Sequence, residues 1–164
     1  MIKTTTFENL IVLRSMSKGF GIAGLRCAYL AVSQKLAPYY DKIDLGFEPN
    51  YIGIQTSIEL LNNYTWFIEE SIQLINKIKP KFIQFLESKN IKVFQGSDDS
   101  SIFLCHHPTI DLYVQFSDIG VLTSSGEGFS SSLSTLNNNY IRFLCPNSEI
   151  QLNQIISRYN QKYA

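Results

Sequence analysis

Lys18 stands in the stretch of the chain where residue types and spacing most suggest chemistry. Ser15 and Ser17 lie three and one residues before it, and Arg26 lies eight after it, beyond the glycine-rich bend Gly19-Phe20-Gly21-Ile22-Ala23-Gly24. A lysine amine condenses with carbonyl compounds to form Schiff bases. Hydroxyl donors and a planar, always-charged guanidinium suit a phosphate, and glycines let backbone approach a ligand closely. An aldehyde and a phosphate on one ligand describe pyridoxal 5'-phosphate. The same bend spells Gly-x-Gly-x-x-Gly, the dinucleotide fingerprint, but the context differs. Ser15 to Lys18 intervene after the strand-like Asn9–Leu13, and strand-like Leu25–Val32 follows where that fingerprint needs a helix. A phosphate-loop NTPase is excluded for lack of a Gly-Lys-Ser/Thr triplet.

Elements must position these residues. The continuous apolar run Asn9–Leu13 predicts a buried strand, and Leu25–Val32 a second. A short helix is expected from Ser33 or Gln34 to Tyr40, followed by a loop marked by Gly46, Pro49 and Asn50. From Tyr51 to Asn90 apolar residues step by three and four, the mark of a long amphipathic helix that Pro80 should kink or split. Tyr64 and Trp66 on it read as packing or interface groups. Strands are expected at Ile91–Gln95, Ser101–Cys105, Val121–Thr123 and Tyr140–Leu144. A helix over Thr109–Ser117 would be capped by Thr109 and ended by Gly120. Ser124–Asn139 reads as a loop, and a last helix opens at Pro146-Asn147-Ser148.

The segment Asn9-Leu-Ile-Val-Leu-Arg-Ser-Met-Ser-Lys18-Gly-Phe-Gly-Ile-Ala-Gly-Leu-Arg26-Cys-Ala-Tyr resembles the lysine segment of class I/II, fold-type I aminotransferases, and most of all the histidinol-phosphate aminotransferase branch. The resemblance extends to Tyr140-Ile141-Arg142-Phe143, where that family has a strand arginine, followed by a helix opening near an acidic residue, here Glu149. It implies an α/β fold, the C-terminal part of a fold-type I transferase. Residues 1–46 would end the large cofactor-binding domain, 47–90 would form an interdomain helix, and 91–164 a small C-terminal α/β domain. Lys18 would hold pyridoxal 5'-phosphate and shuttle a proton. Ser15, Ser17 and Arg26 would grip the cofactor phosphate, and Arg142 would clamp the substrate α-carboxylate. The activity implied is amino transfer between an amino acid and a 2-oxo acid, by a homodimer.

Each residue also has a plainer explanation. The serines could be turn residues, Arg26 a structural ion-pair partner at a strand start, and Arg142 part of a solvated strand face. The same lysine would equally serve a decarboxylase or lyase of this fold. A non-catalytic remnant acting as a binding piece is the remaining alternative. In the resembled family the ring-nitrogen aspartate lies on a strand before the lysine segment; here Glu8 is the one acidic residue ahead of Asn9. That acid, with most of the parallel sheet, is expected upstream, so the chain alone is expected to be inactive. Relatives that take phosphorylated substrates often carry a basic residue where this chain has Gly120-Val121-Leu122-Thr123, so a substrate phosphate would lose a partner there.

Composition limits the classes. The 164 residues are 45% hydrophobic and 17% charged, with 14 basic side chains balancing 14 acidic ones, which lacks the basic excess of a nucleic-acid binder. No apolar window suits a membrane span. Three widely spaced cysteines, Cys27, Cys105 and Cys145, fit reduced cytoplasmic thiols. Cys105-His106-His107 invites a metal, but three consecutive residues point in divergent directions and no second cluster exists, so none is expected.

Overall fold

The computed structural model describes residues 8–43, 50–94, 96–129, 131 and 136–163. The chain divides into two compact units, Met1–Glu69 and Glu70–Ala164. In the first, β1 (Ile11–Ser15) pairs antiparallel with β2 (Ala28–Val32), from Ile11 opposite Val32 to Ser15 opposite Ala28. The Met16 N–H donates to the Cys27 carbonyl at 3.1 Å and extends the ladder past that end. The run expected to be buried is instead exposed: Leu13 is 70% and Ile11 54% accessible. A two-stranded ribbon leaves side chains on both faces uncovered.

A single turn, α1 (Met16–Gly19), follows β1, and a 3₁₀ turn covers Ala23–Leu25. The second strand therefore begins at Ala28 rather than Leu25. Arg26 adopts the left-handed conformation (φ 53°, ψ 40°), which cannot continue a strand. Helix α2 (Ala37–Ile43) starts later than expected, because the Ser33 carbonyl first accepts from Leu36 and Ala37 in a turn. Pro38 sits in the first turn of α2, where its missing N–H is harmless. Gly46 and Pro49 lie outside the described residues, as does the expected domain boundary at residue 46.

The long helical stretch is two helices, α3 (Tyr51–Asn63) and α4 (Thr65–Ser88). The split falls at Tyr64, not Pro80, which α4 passes through. Asn62, Asn63 and Tyr64 each favour the helix less than alanine by about 0.5 kcal/mol. Around Pro80, by contrast, Ile78 and Phe82 are fully buried, and their packing outweighs one missing hydrogen bond. Near the break, Trp66 is half-exposed, with Tyr64 and Phe67 ring centroids at 6.4 and 6.2 Å.

In the second unit, β3 (Lys92–Val93), β4 (Ile102–His106), β6 (Tyr140–Leu144) and β5 (Ser124–Ser125) form an antiparallel sheet in the order β3-β4-β6-β5. Its inward residues Phe103, Cys105, Ile141 and Phe143 meet Phe82 and Leu86 of α4, Phe116 of α5 (Leu112–Ser117), and Leu152, Ile155 and Tyr159 of α6 (Glu149–Tyr163). Phe82 centres an aromatic cluster, 5.2 Å from Phe143 and 5.9 Å from Phe103. Helix α4 ends at left-handed Asn90, with Ile91 N–H on the Leu86 carbonyl.

Helix α5 is capped by Asp111, whose Oδ1 accepts from Val114 N–H at 2.8 Å, and not by Thr109. Thr109 lies two residues ahead of that cap, in a turn where its N–H and that of Ile110 donate to the Nδ1 of buried His107. Gly120, at φ 75°, ends the helix as expected, with Val121 N–H on the Phe116 carbonyl. Val121 is thus part of the helix end, and in place of the strand expected at 121–123 the ladder with β6 forms at Ser124–Ser125. The end of the expected strand at Gln95 and part of the Ser124–Asn139 loop lie outside the described residues. Among the described residues no helix is long and apolar enough to cross a membrane.

Candidate functional site

The first unit gathers four of the five sequence-predicted residues at one end of its ribbon. Ser15 closes β1 and caps α1: its Oγ accepts the Ser17 N–H at 3.2 Å, which leaves its own hydroxyl proton to donate outward. Lys18 occupies the same turn and is exposed. The opposing strand enters this end through Arg26, two residues before Ala28, which pairs with Ser15. The Arg26 guanidinium spends one donor on the Ala23 carbonyl, at 3.2 Å. Among the described residues neither Lys18 nor Arg26 has a carboxylate partner, so the ion-pair explanation of Arg26 finds no partner there.

These donors fit a phosphate ester carrying an aldehyde. Hydroxyls and a fork of guanidinium N–H groups meet anionic oxygens, and an uncommitted amine stands in the same turn. Glu8 does not serve such a ligand's ring. It lies beyond the far end of the ribbon, bonded to Lys35 at 2.7 Å, while its carbonyl accepts from Ser33.

Left-handed φ costs a non-glycine residue roughly 1–2 kcal/mol, and the surroundings over-determine Arg26. Its own N–H is bonded to Ala23, and the Leu25 carbonyl of the same peptide accepts from Asn50 Nδ2 at 3.0 Å. Asn50 also caps α3, accepting from Gly53 N–H at 2.7 Å. Gly53 is buried with no room for a side chain: a Cβ there would stand 2.3 Å from Cys27 Sγ. Sequence reasoning took Asn50 only as a loop marker. An asparagine just ahead of an apolar period is a cap signal that could have been used.

Arg142 belongs to the second unit, on β6. Ile141 and Phe143 point into the core, so Arg142 emerges on the other face. Its Nη2 donates to Ser124 Oγ at 3.2 Å, and its guanidinium lies 4.6 Å over the Phe129 ring. The stacking holds the planar group flat and leaves edge N–H donors for a carboxylate. Ser124 and Phe129 were missed because the Ser- and Gly-rich stretch reads as loop.

Glu149 is a clamp. Its carboxylate bonds Lys81 at 2.8 Å and Lys77 at 3.4 Å, and these lysines, Lys81 first, hold it below the usual carboxylate range. The Cys105-His106-His107 run disperses. The Cys105 thiol is buried in the core and pushed up to about 12 by burial. His106 stacks on Tyr140 at 4.1 Å, and His107 Nδ1 is spent on Thr109 and Ile110 N–H groups. Among the described residues no group of three potential metal ligands gathers.

Residues 3–124 match the family model for aminotransferase class I and II. A histidinol-phosphate aminotransferase from Ruminiclostridium cellulolyticum is 29% identical over 133 residues, covering 77% of this chain and 34% of that one. The crystal structure of the histidinol-phosphate aminotransferase from Clostridium acetobutylicum superposes with a TM-score of 0.73 at 22% identity, covering 95% of this chain and 46% of that one. A Sinorhizobium meliloti histidinol-phosphate aminotransferase, solved in complex with pyridoxal-5'-phosphate, gives 0.67 at 17% identity, covering 96% and 42%. An L-threonine-O-3-phosphate decarboxylase from Porphyromonas gingivalis gives 0.68 at 16% identity, covering 96% and 48%. The chain thus spans about a third of the length of the curated relative and under half of these solved chains, sharing their fold. The match over most of its length makes it a member of the class I and II aminotransferases, a family whose cofactor is pyridoxal phosphate.

Proposed function

We propose that this chain is the C-terminal part of a pyridoxal-phosphate-dependent aminotransferase that moves an amino group between an amino acid and a 2-oxo acid. The observation that carries the reading is the juxtaposition at the ribbon end, where Ser15 pairs with Ala28 and Met16 N–H with the Cys27 carbonyl. That register brings the Ser15–Lys18 turn and the Arg26 turn to one place. Residues 1–46 would then finish the cofactor-binding domain, 47–90 link, and 91–164 form the small domain. The division at Glu69–Glu70 falls inside that linking stretch.

Bound pyridoxal phosphate supplies an aldehyde and an electron-withdrawing ring that stabilises negative charge at a substrate Cα. The chain's own groups divide the remaining work. Ser15, Ser17 and Arg26 hold the phosphate with charge-assisted hydrogen bonds. Lys18 Nζ anchors the cofactor and, once free, takes and returns a proton at the substrate Cα. Arg142 holds the α-carboxylate, its plane set by Phe129 and Ser124.

Borohydride reduction of the longer parent protein in the presence of pyridoxal phosphate, followed by peptide mass spectrometry, tests the reading. The expected product is one reduced adduct, on Lys18, that Lys18→Arg abolishes. A label spread over the surface lysines, or absent, overturns it. Solved chains of this fold include a decarboxylase, so the reaction products decide the chemistry. A 2-oxo acid with the carboxyl retained marks amino transfer, and carbon dioxide marks decarboxylation.

A further inference from the structure

We infer that Asn50 is a positioning residue for the phosphate-binding arginine, locking helix α3 to the left-handed turn at Arg26. The inference rests on reading Arg26 as a phosphate ligand. The peptide unit before the Arg26 Cα is pinned at both its carbonyl and its N–H, and the chain is tied again one peptide beyond the residue. The Leu25 carbonyl accepts from Asn50 Nδ2 at 3.0 Å, and the Arg26 N–H donates to Ala23 at 3.3 Å. Beyond Arg26, in the Cys27–Ala28 peptide, the Cys27 carbonyl accepts from Met16 N–H at 3.1 Å, which ties this end of the turn to the turn that carries Lys18. Strained backbone persists only where its surroundings over-determine it. Asn50 is the one of these partners that comes from outside the β1–β2 ribbon and its connecting turns.

A helix cap alone would not require this residue type. Serine, threonine or aspartate would accept the Gly53 N–H as well. Only asparagine combines that acceptor with an N–H donor two bonds away, able to reach Leu25. The close fit of Gly53 against Cys27 Sγ and the Leu25 carbonyl brings α3 near enough for the second bond. The start of α3 therefore sets where the guanidinium stands, and so how well the site tells a phosphorylated aldehyde from a bare one.

Asn50→Ser separates the two contacts, keeping the cap and deleting the donor. Trapping at Lys18 with pyridoxal phosphate and, separately, with pyridoxal gives a preference for the phosphorylated ligand. Asn50→Ser should lower that preference about fivefold, the worth of one ordinary hydrogen bond. Asn50→Asp, which also keeps the cap and lacks the donor, should shift it the same way. Arg26→Ala should remove the preference, and adding Asn50→Ser to it should change nothing further. The inference is overturned if Asn50→Ser weakens both ligands equally, leaves the preference intact, or acts undiminished without Arg26. A parent protein with no preference for pyridoxal phosphate at Lys18 would overturn the phosphate reading itself, and this inference with it.

Discussion

Gly53→Ala tests how tightly helix α3 is pressed onto the Arg26 turn. The new Cβ would stand 2.3 Å from Cys27 Sγ and 3.1 Å from both Asn50 Nδ2 and the Leu25 carbonyl. The first contact is more than an ångström inside ordinary van der Waals range. Cys27 is buried and its Sγ faces the Leu25 carbonyl at 3.5 Å, so it has little room to yield. Overpacking of this kind costs about 1–3 kcal/mol. Replacing a helical glycine by alanine returns about 0.5–1 kcal/mol. The upper part of the first range applies, since two of the three atoms belong to the lock, giving a net loss of about 1–2 kcal/mol. Trp66 is the only tryptophan and lies in the same unit, so its fluorescence in a urea titration reports this loss directly. Cys27→Ala should relieve the clash: the double variant should exceed the additive expectation by at least about 1 kcal/mol. A single variant as stable as the parent, or strict additivity in the double, would show that the close approach is not there.

The second unit offers two further tests. Phe82→Ala empties the centre of the aromatic cluster and should cost about 3–5 kcal/mol by denaturant titration followed by circular dichroism; a loss below about 1 kcal/mol would mean the cluster is not the core. Cys105, raised from an ordinary 9.0 to about 12 by burial, should resist alkylation at mildly alkaline pH until the chain unfolds. Its linkage has a definite sign. The folded thiol keeps its proton where the unfolded one loses it, so its contribution is whole below pH 9 and is lost as pH climbs towards 12. Cys105→Ala should flatten stability against pH in that window, and an unchanged slope would refute the assignment.

The Lys18 segment was legible because its information is local. Ser15, Ser17, Lys18 and Arg26 lie within twelve residues, and hydroxyl, amine and guanidinium declare their chemistry by type. Tyr140–Leu144 was legible as well, since strict alternation matches a half-buried strand. The misreadings share one cause. Apolarity at Asn9–Leu13 favours burial without naming what would cover it, and the helix runs on through Pro80 because Ile78 and Phe82 on either side are fixed in a core that the sequence does not display. Thr109 and Asp111 are both capping types, and the turn held by His107 Nδ1 on the Thr109 and Ile110 N–H groups puts the start of the helix after Asp111.

By itself, then, the sequence determined the candidate reactive groups, the periodic faces and the family. Tertiary structure decided the backbone state of Arg26, the second use of Asn50, the tight fit at Gly53 and the stacking of Phe129 under Arg142. Each depends on an atom contributed from a distant part of the chain or across a strand pair. A left-handed residue, or a glycine without space for a Cβ, is dictated by what stands opposite it in space, and neighbours in sequence carry no record of that.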